Sequence, residues 1–458
     1  MDVKSLTNAT RRSLLTVLPA FALAVGMGAA PAAAQSLEEA LAQAYTQNPT
    51  LEAQRAQLRA TNELVPQARA GYFPSITAQG DVSRVISERG STDTGFTSES
   101  AEIGISQPLY RGGRTAAAVS RSENLVRAQR AGVLNAEQGV LLDAATAYLN
   151  VVRDQAVLDL QINNEQVLRR QLEASQDRFR VGEITRTDVS QAESRLARAT
   201  SDRILAEGVL NASRAEFARL VGVSPAQLAQ PQLTLTLPSS LDETITLAEK
   251  NNPRVIAADF SREAAEDTID QVTGELLPSV AVSGNLSRTW DPSGLGGTRN
   301  DTTIVARVTV PIYQGGGEYA RVREAKHTAR QRRIEVDEAL RLVRETAIRA
   351  WEGLVTTRAS IVSRQEQVNS ANIALEGVRQ EATVGSRTVL DVLDAEQELL
   401  NARVDLARAQ RDELVAAFSV LAATGQLTAA GLGLPVQGYD LEAHYNDTRD
   451  RLFGLSVD

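Results

Sequence analysis

Asp391 and Asp394 stand three residues apart in Thr388-Val389-Leu390-Asp391-Val392-Leu393-Asp394, a spacing that puts both carboxylates on one side of a helix. Acids lining a narrow passage attract cations and repel anions. Acids in the first turn of a helix equally suit its dipole, and spacing alone leaves both readings open. Other chemistries are poorly supplied. The chain has no cysteine, which excludes disulfides, thiol catalysis, zinc-thiolate sites and an acylated N-terminal cysteine. Its two histidines, His327 and His444, sit in no metal-ligand spacing and read as surface residues. Gly294-Leu295-Gly296-Gly297 precedes no helix, so it is not a phosphate loop. No set of nucleophile, base and orienting group stands out, and no cofactor is implied. A formal charge of -9 with arginines interspersed is unlike a nucleic-acid binder.

Whatever these carboxylates do, long elements must hold them. Residues 1–34 read as a signal peptide: Arg11-Arg12, an apolar run from Leu14 to Gly28, and Ala32-Ala33-Ala34 as a cleavage site. Such a run is too short to span a bilayer as a helix, which takes about 20 apolar residues, and no longer apolar run follows. Four segments instead alternate with period two. Ile76, Ala78, Gly80 and Val82 oppose Ser75, Thr77, Gln79 and Asp81, and Ile103 and Ile105 oppose Glu102 and Gly104. Val280, Val282 and Leu286 oppose Ser283 and Asn285, and Ile304, Ala306 and Val308 oppose Thr303 and Arg307. These are strands with one greasy and one wet face, paired into hairpins near 75–108 and 279–311. Pro74, Pro108, Pro278 and Pro311 bracket them, marking where pairing stops because proline cannot donate to a ladder.

Between the hairpins the chain is proline-free from Arg111 to Ser224 and from Ile312 to Leu434. Apolar residues there fall on seven-residue spacings, as Leu134, Leu141 and Tyr148, or Val151, Leu158, Leu172 and Phe179 with a break at Glu165, a coiled-coil habit. A helix from about Thr115 to Val181 would be roughly 100 Å long. Val181-Gly182 and Val384-Gly385 interrupt the pattern and turn the helices back. The whole order occurs twice: Ser36-Leu37, Asn48-Pro49 and Pro74-Ser75 return as Ser240-Leu241, Asn252-Pro253 and Pro278-Ser279. The register slips by one residue between Arg84 and Gln107, across a polar loop that tolerates length change. The domains expected are a first repeat over 35–239, a second over 240–425, and an irregular segment over 426–458. Four strands cannot close a barrel, and open edges are not tolerated in hydrocarbon, so several copies must share one. Two, three or four protomers would give 8, 12 or 16 strands, a number the strands alone do not choose.

With the doubled Asn-Pro, the segments Pro108-Leu109-Tyr110-Arg111-Gly112-Gly113 and Pro311-Ile312-Tyr313-Gln314-Gly315-Gly316, and Val384-Gly385-Ser386-Arg387-Thr388-Val389-Leu390-Asp391-Val392-Leu393-Asp394-Ala395, the chain resembles the TolC family of outer-membrane efflux and secretion proteins over residues 36–430. The resemblance implies an α+β membrane protein: a homotrimeric 12-stranded barrel, four strands per protomer, in the outer membrane, continued by a coiled-coil α-helical tunnel in the periplasm. It implies passive exit for substrates of an inner-membrane ABC or RND-type transporter, reached through a periplasmic adaptor (membrane fusion) protein. It puts Asp391 and Asp394 at a periplasmic gate as stacked rings. Arg387 with Thr187 and Asp188 would latch neighbouring hairpins, with Ala382 where some relatives carry a tyrosine. Val181, Gly182, Val384 and Gly385 would contact the adaptor, although glycine there also suits a helix C-cap. Tyr72, Phe73, Tyr110 and Tyr313 suit either an interfacial girdle or burial. The alternative is a barrel-anchored trimeric scaffold or adhesin that transports nothing.

Overall fold

The computed structural model describes residues 35–457 except 90, 91, 226 and 232–234, so the expected signal peptide lies outside the described residues. Two short helices, α1 (Leu37–Gln47) and α2 (Pro49–Asn62), and one turn of helix, α3 (Leu64–Arg69), lead into the hairpin β1 (Ser75–Arg89) and β2 (Thr92–Arg111). Then α4 (Arg114–Arg180) runs 67 residues and α5 (Arg186–Val221) returns. The order recurs as α6 (Leu241–Asn251), α7 (Pro253–Thr273), β3 (Ser279–Trp290), β4 (Thr298–Thr309), α8 (Gly317–Thr383, again 67 residues) and α9 (Val389–Ala423), with a short α10 (Ala443–Thr448) near the end.

The two hairpins form one antiparallel sheet in the order β1-β2-β3-β4, and its register sorts the faces as alternation predicts. Ile76 pairs with Ile105 and Ala78 with Ile103, which in turn faces Leu286. Gln79 pairs with Glu102, Glu102 with Ser287, and Ser287 with Asp301. Ile76, Val82, Ile103, Leu286, Ile304 and Val308 are all exposed. Pro108 does not end its strand. Pairing of β2 with β1 stops at Ser106, but pairing with β3 continues to Arg111 through a register shift between Pro108 and Tyr110. A bulge accommodates the residue that cannot donate. β2 accordingly runs 20 residues, to Arg111.

The helices form a wall. α7 packs between α4 and α8 in the half nearer the sheet, and α9 packs between the same two in the far half. The doubled Asn-Pro makes this possible. Asn252 accepts the amide of Arg254 at 3.0 Å as N-cap of α7, with Pro253 at the first helical position, while its side-chain amide donates to the carbonyl of Ala423, the last residue of α9, at 3.0 Å. Asn48 does the same between α2 and α5, capping Thr50 at 2.9 Å and donating to Leu220 at 2.9 Å. One side chain thus satisfies an orphan amide of a starting helix and an orphan carbonyl of an ending one. The junction is tight: Gly425 has φ +78°, and a Cβ there would lie 2.5 Å from the carbonyl oxygen of Asn251.

The main core lies on one side of the wall, where the segments 227–231, 235–239 and 426–448 form a belt against α1, α2, α4 and α5. Leu141 and Tyr148, read as coiled-coil positions, are fully buried there. The Tyr148 hydroxyl lies 2.6 Å from the carbonyl of Ala229 and 2.9 Å from that of Gln35, and burial pushes its pKa up to about 12. Buried Glu137 accepts the amide of Ala429 at 2.7 Å, and burial raises its pKa. Arg55 is held between the rings of Tyr45 and Tyr439, at 4.7 and 4.9 Å. His444 approaches Asn62 at 3.2 Å. The irregular C-terminal stretch is therefore fixed by specific buried partners.

The splice is testable at Asn252. Asn252→Asp keeps the cap and loses the donor to Ala423, and Asn252→Ala loses both. Local destabilisation of about 1–3 kcal/mol is expected for alanine, read as faster amide hydrogen exchange in the last turn of α9 and the first of α7. Asn252→Asp should affect the α9 end alone.

Candidate functional site at the hairpin tips

The two helix hairpins, α4–α5 and α8–α9, end in equivalent turns. Gly182 (φ +79°) and Gly385 (φ +77°) take the left-handed conformation. Glu183 donates back to the Arg178 carbonyl at 2.9 Å and Gly182 to Phe179 at 3.0 Å. Ser386 and Gly385 donate likewise to Glu381 and Ala382 at 3.0 and 3.2 Å. This paired bonding closes a helix C-terminus with glycine just past its end. The C-cap role of the turns is thus present, and Val181 and Val384 are left highly exposed, at 78% and 79%.

After each turn a threonine starts the returning helix. Thr185 and Asp188 exchange bonds: the Thr185 amide donates to Asp188 at 2.9 Å, and the Asp188 amide donates to the threonine hydroxyl oxygen at 3.3 Å. Thr388 and Asp391 repeat this at 2.8 and 3.3 Å. Such a capping box satisfies two orphan donors at once. The amide and hydroxyl of Thr388 both donate to one oxygen of Asp391 and hold its pKa below the ordinary value, with Arg387 adding to the effect. Asp188 and Asp391 therefore each serve a helix start, which for Asp391 is the structural option that spacing allowed.

Arg387 donates to Glu381 at 2.8 Å, which raises its pKa and offsets an acid lying unfavourably near the negative end of α8. Within the protomer it binds neither Thr187 nor Asp188. Thr187 is exposed.

Asp394 has a partner that sequence reading missed. Arg195 of α5 reaches it across the two hairpins at 2.5 Å. Beneath this pair Leu393 is buried against Leu168 and Ala199, with Leu196 and Val389 packed around them, so a small apolar cluster and one ion pair tie α9 to the other hairpin. Further up, the heptad break at Glu165 is explained. This carboxylate accepts from Arg203 at 2.6 Å, Arg169 at 2.8 Å and Thr200 at 3.2 Å, a buried acid paired on several sides.

Because Asp391 has a depressed pKa when folded, its contribution is fully present above the unfolded value, 3.8, and is lost as pH falls through the lower folded one. Acidification below that value should speed hydrogen exchange at the amides of Thr388 and Asp391. Thr388→Val, which keeps the backbone amide donor and loses the hydroxyl, should reduce that pH dependence without abolishing it.

The sequence profile of the family described as "Outer membrane efflux protein" matches residues 40–223 and again 244–426. Outer membrane efflux protein BepC of Brucella suis is 34% identical over 425 residues, covering 93% of this chain and 92% of that one. Outer membrane protein TolC of Vibrio cholerae is 28% identical, covering 90% and 96%. Among solved structures, the Campylobacter jejuni CmeC outer membrane channel superposes with a TM-score of 0.77 at 16% identity, covering 90% of this chain and 89% of that one. With an exposed greasy sheet standing on a wall of long helices, the chain belongs to the outer membrane efflux protein family: it is an outer-membrane channel protein of the TolC type and not an enzyme.

Proposed function

We propose that three copies of this chain assemble one channel-tunnel that gives passive exit to substrates of an inner-membrane exporter. The observation that carries this reading is the sheet. Its order leaves β1 and β4 as edges, each a row of unpaired backbone groups, while Ile76, Ile103, Leu286 and Ile304 stand exposed on one face. A bilayer accepts strands only in a closed barrel. Pairing β4 of one copy with β1 of the next closes it, and three copies give the 12 strands that family resemblance implies. Gln79, Glu102, Asn285 and Arg307 then line the water-filled lumen, and the exposed Tyr72, Phe73, Tyr110 and Tyr313 sit at its membrane boundary.

The two profile matches and the repeated element order support internal duplication, with repeats over 35–239 and 240–425 and the belt segment 426–458 outside the wall. The helices extend the lumen into the periplasm, where Asp391 and Asp394 ring the entrance and Arg387, Thr187 and Asp188 serve as latch between neighbouring hairpins. The exposed turns at Val181, Gly182, Val384 and Gly385 suit docking by a periplasmic adaptor, which joins the tunnel to an ABC or RND-type transporter. Small-molecule efflux and type I protein secretion both fit this passage. The Arg195–Asp394 pair adds a tie inside each protomer.

Reconstituted in planar bilayers, the protein should conduct with cation preference, and Asp391→Asn should reduce that preference. An exposed ion pair contributes about 0.2–1 kcal/mol, so Arg195→Ala should raise the open fraction by a factor of a few and with it the mean conductance. Absence of any conductance would favour the scaffold reading.

A further inference from the structure

A cavity of about 500 Å³ opens where α9 meets α7 between the two long helices. Its walls come from four helices: Asn135, Gln138, Gly139 and Leu142 on α4, Asn252 and Arg254 at the start of α7, Leu342, Thr346, Arg349 and Gly353 on α8, and Ser419 and Ala423 on α9. Helix periodicity fixes its side of the wall. Val420 and Leu421 on α9, and Leu141 and Ala144 on α4, face the buried belt side, whereas Ser419, Ala423, Asn135 and Gly139 project the opposite way. If the belt encircles the tunnel, the cavity faces the lumen.

Two features make this a built hollow. Gly139 and Gly353 sit in the interior of 67-residue helices, where glycine is disfavoured. A Cβ at either position meets nothing within 4 Å, so no neighbour demands a glycine, and the missing side chains are part of the empty volume. Secondly, no acid lines the cavity in a chain carrying 57 acidic residues. Arg254 bonds Asn135 at 3.2 Å and joins no ion pair among the described residues. Gln138 is 5% exposed, and its side-chain nitrogen has no hydrogen-bond partner. The apolar part of the wall is Leu142, Leu342, Val343, Ala350, Ala416 and Ala422, and the other lining arginine, Arg349, is already paired with Glu345.

We infer that this cavity is a cargo subsite for amphipathic organic anions, holding the apolar body against the leucines and the anionic group at Arg254. The volume falls within the range of small-molecule sites, about 300–1,000 Å³, and an arginine without a carboxylate partner is suited to an incoming anion. The cargo role rests on the channel reading, since only a lumenal cavity meets cargo.

The test uses the full protein in amphipol with 8-anilinonaphthalene-1-sulfonate as probe. The chain has two tryptophans, so Trp290→Phe leaves Trp351, next to Ala350, as the sole energy donor. Saturable quenching of Trp351 at one dye per chain is expected. It should weaken at least tenfold in the doubly filled variant Gly139→Leu/Gly353→Leu. Arg254→Ala should weaken the sulfonate about tenfold and leave the neutral analogue N-phenyl-1-naphthylamine unchanged. Unaltered affinity in the filled variant, or equal loss of both dyes in Arg254→Ala, would overturn the proposal. Conductance is read on the same preparations. A conducting protein without saturable quenching overturns the subsite and leaves the channel standing, whereas a protein that never conducts removes the channel reading itself.

Discussion

A backbone amide or carbonyl left unpaired in hydrocarbon costs several kcal/mol, and that cost governs this molecule. The sheet satisfies its interior ladder within one chain and leaves its two outer strands, β1 and β4, with a row of groups each. A subunit whose apolar face is already turned outward cannot meet lipid until those rows are joined. Under the closure proposed above, assembly becomes part of folding for the sheet, whereas the belt core is already buried within one protomer.

The same accounting of orphan backbone groups recurs at every helix end. In mid-wall, Asn48 and Asn252 each serve two helices at once, so that two short helices stack end to end beside one long one. At the tips, glycine turns and threonine-aspartate boxes close all the ends locally. Few interactions are left to join the two hairpins there: a small apolar cluster around Leu393 and the exposed Arg195–Asp394 pair. The two hairpins are thus held together at their tips by few contacts, which suits the entrance proposed for that end.

The strands, their faces, the two 67-residue helices and the turns were legible because period-two alternation, absent prolines and paired glycines are local signals. Pro108 misled because its cost depends on which neighbour it pairs with, and a bulge toward β3 absorbs it. The heptads at Leu141 and Tyr148 were real but pointed at the belt, since periodicity gives a face and not the partner that covers it. Asp391 was visible as an acid at a helix start, yet the same role for Asp188 went unread, and Asp394 could not be matched to Arg195, nor Arg387 to Glu381, because such pairs depend on how two hairpins or two helix ends approach. The cavity at Gly139 and Gly353 left no pattern that a single helix could reveal.

Since the chain has no cysteine, pairs introduced on the outer strands report assembly without background. Cysteines placed along β1 at Thr77 and along β4 at Thr303 and its neighbours should, on oxidation of the membrane-embedded protein, give a ladder of covalent species ending at three chains. A ladder ending at two chains, continuing past three, or never forming at any register would contradict closure of the barrel by three copies joined β4 to β1.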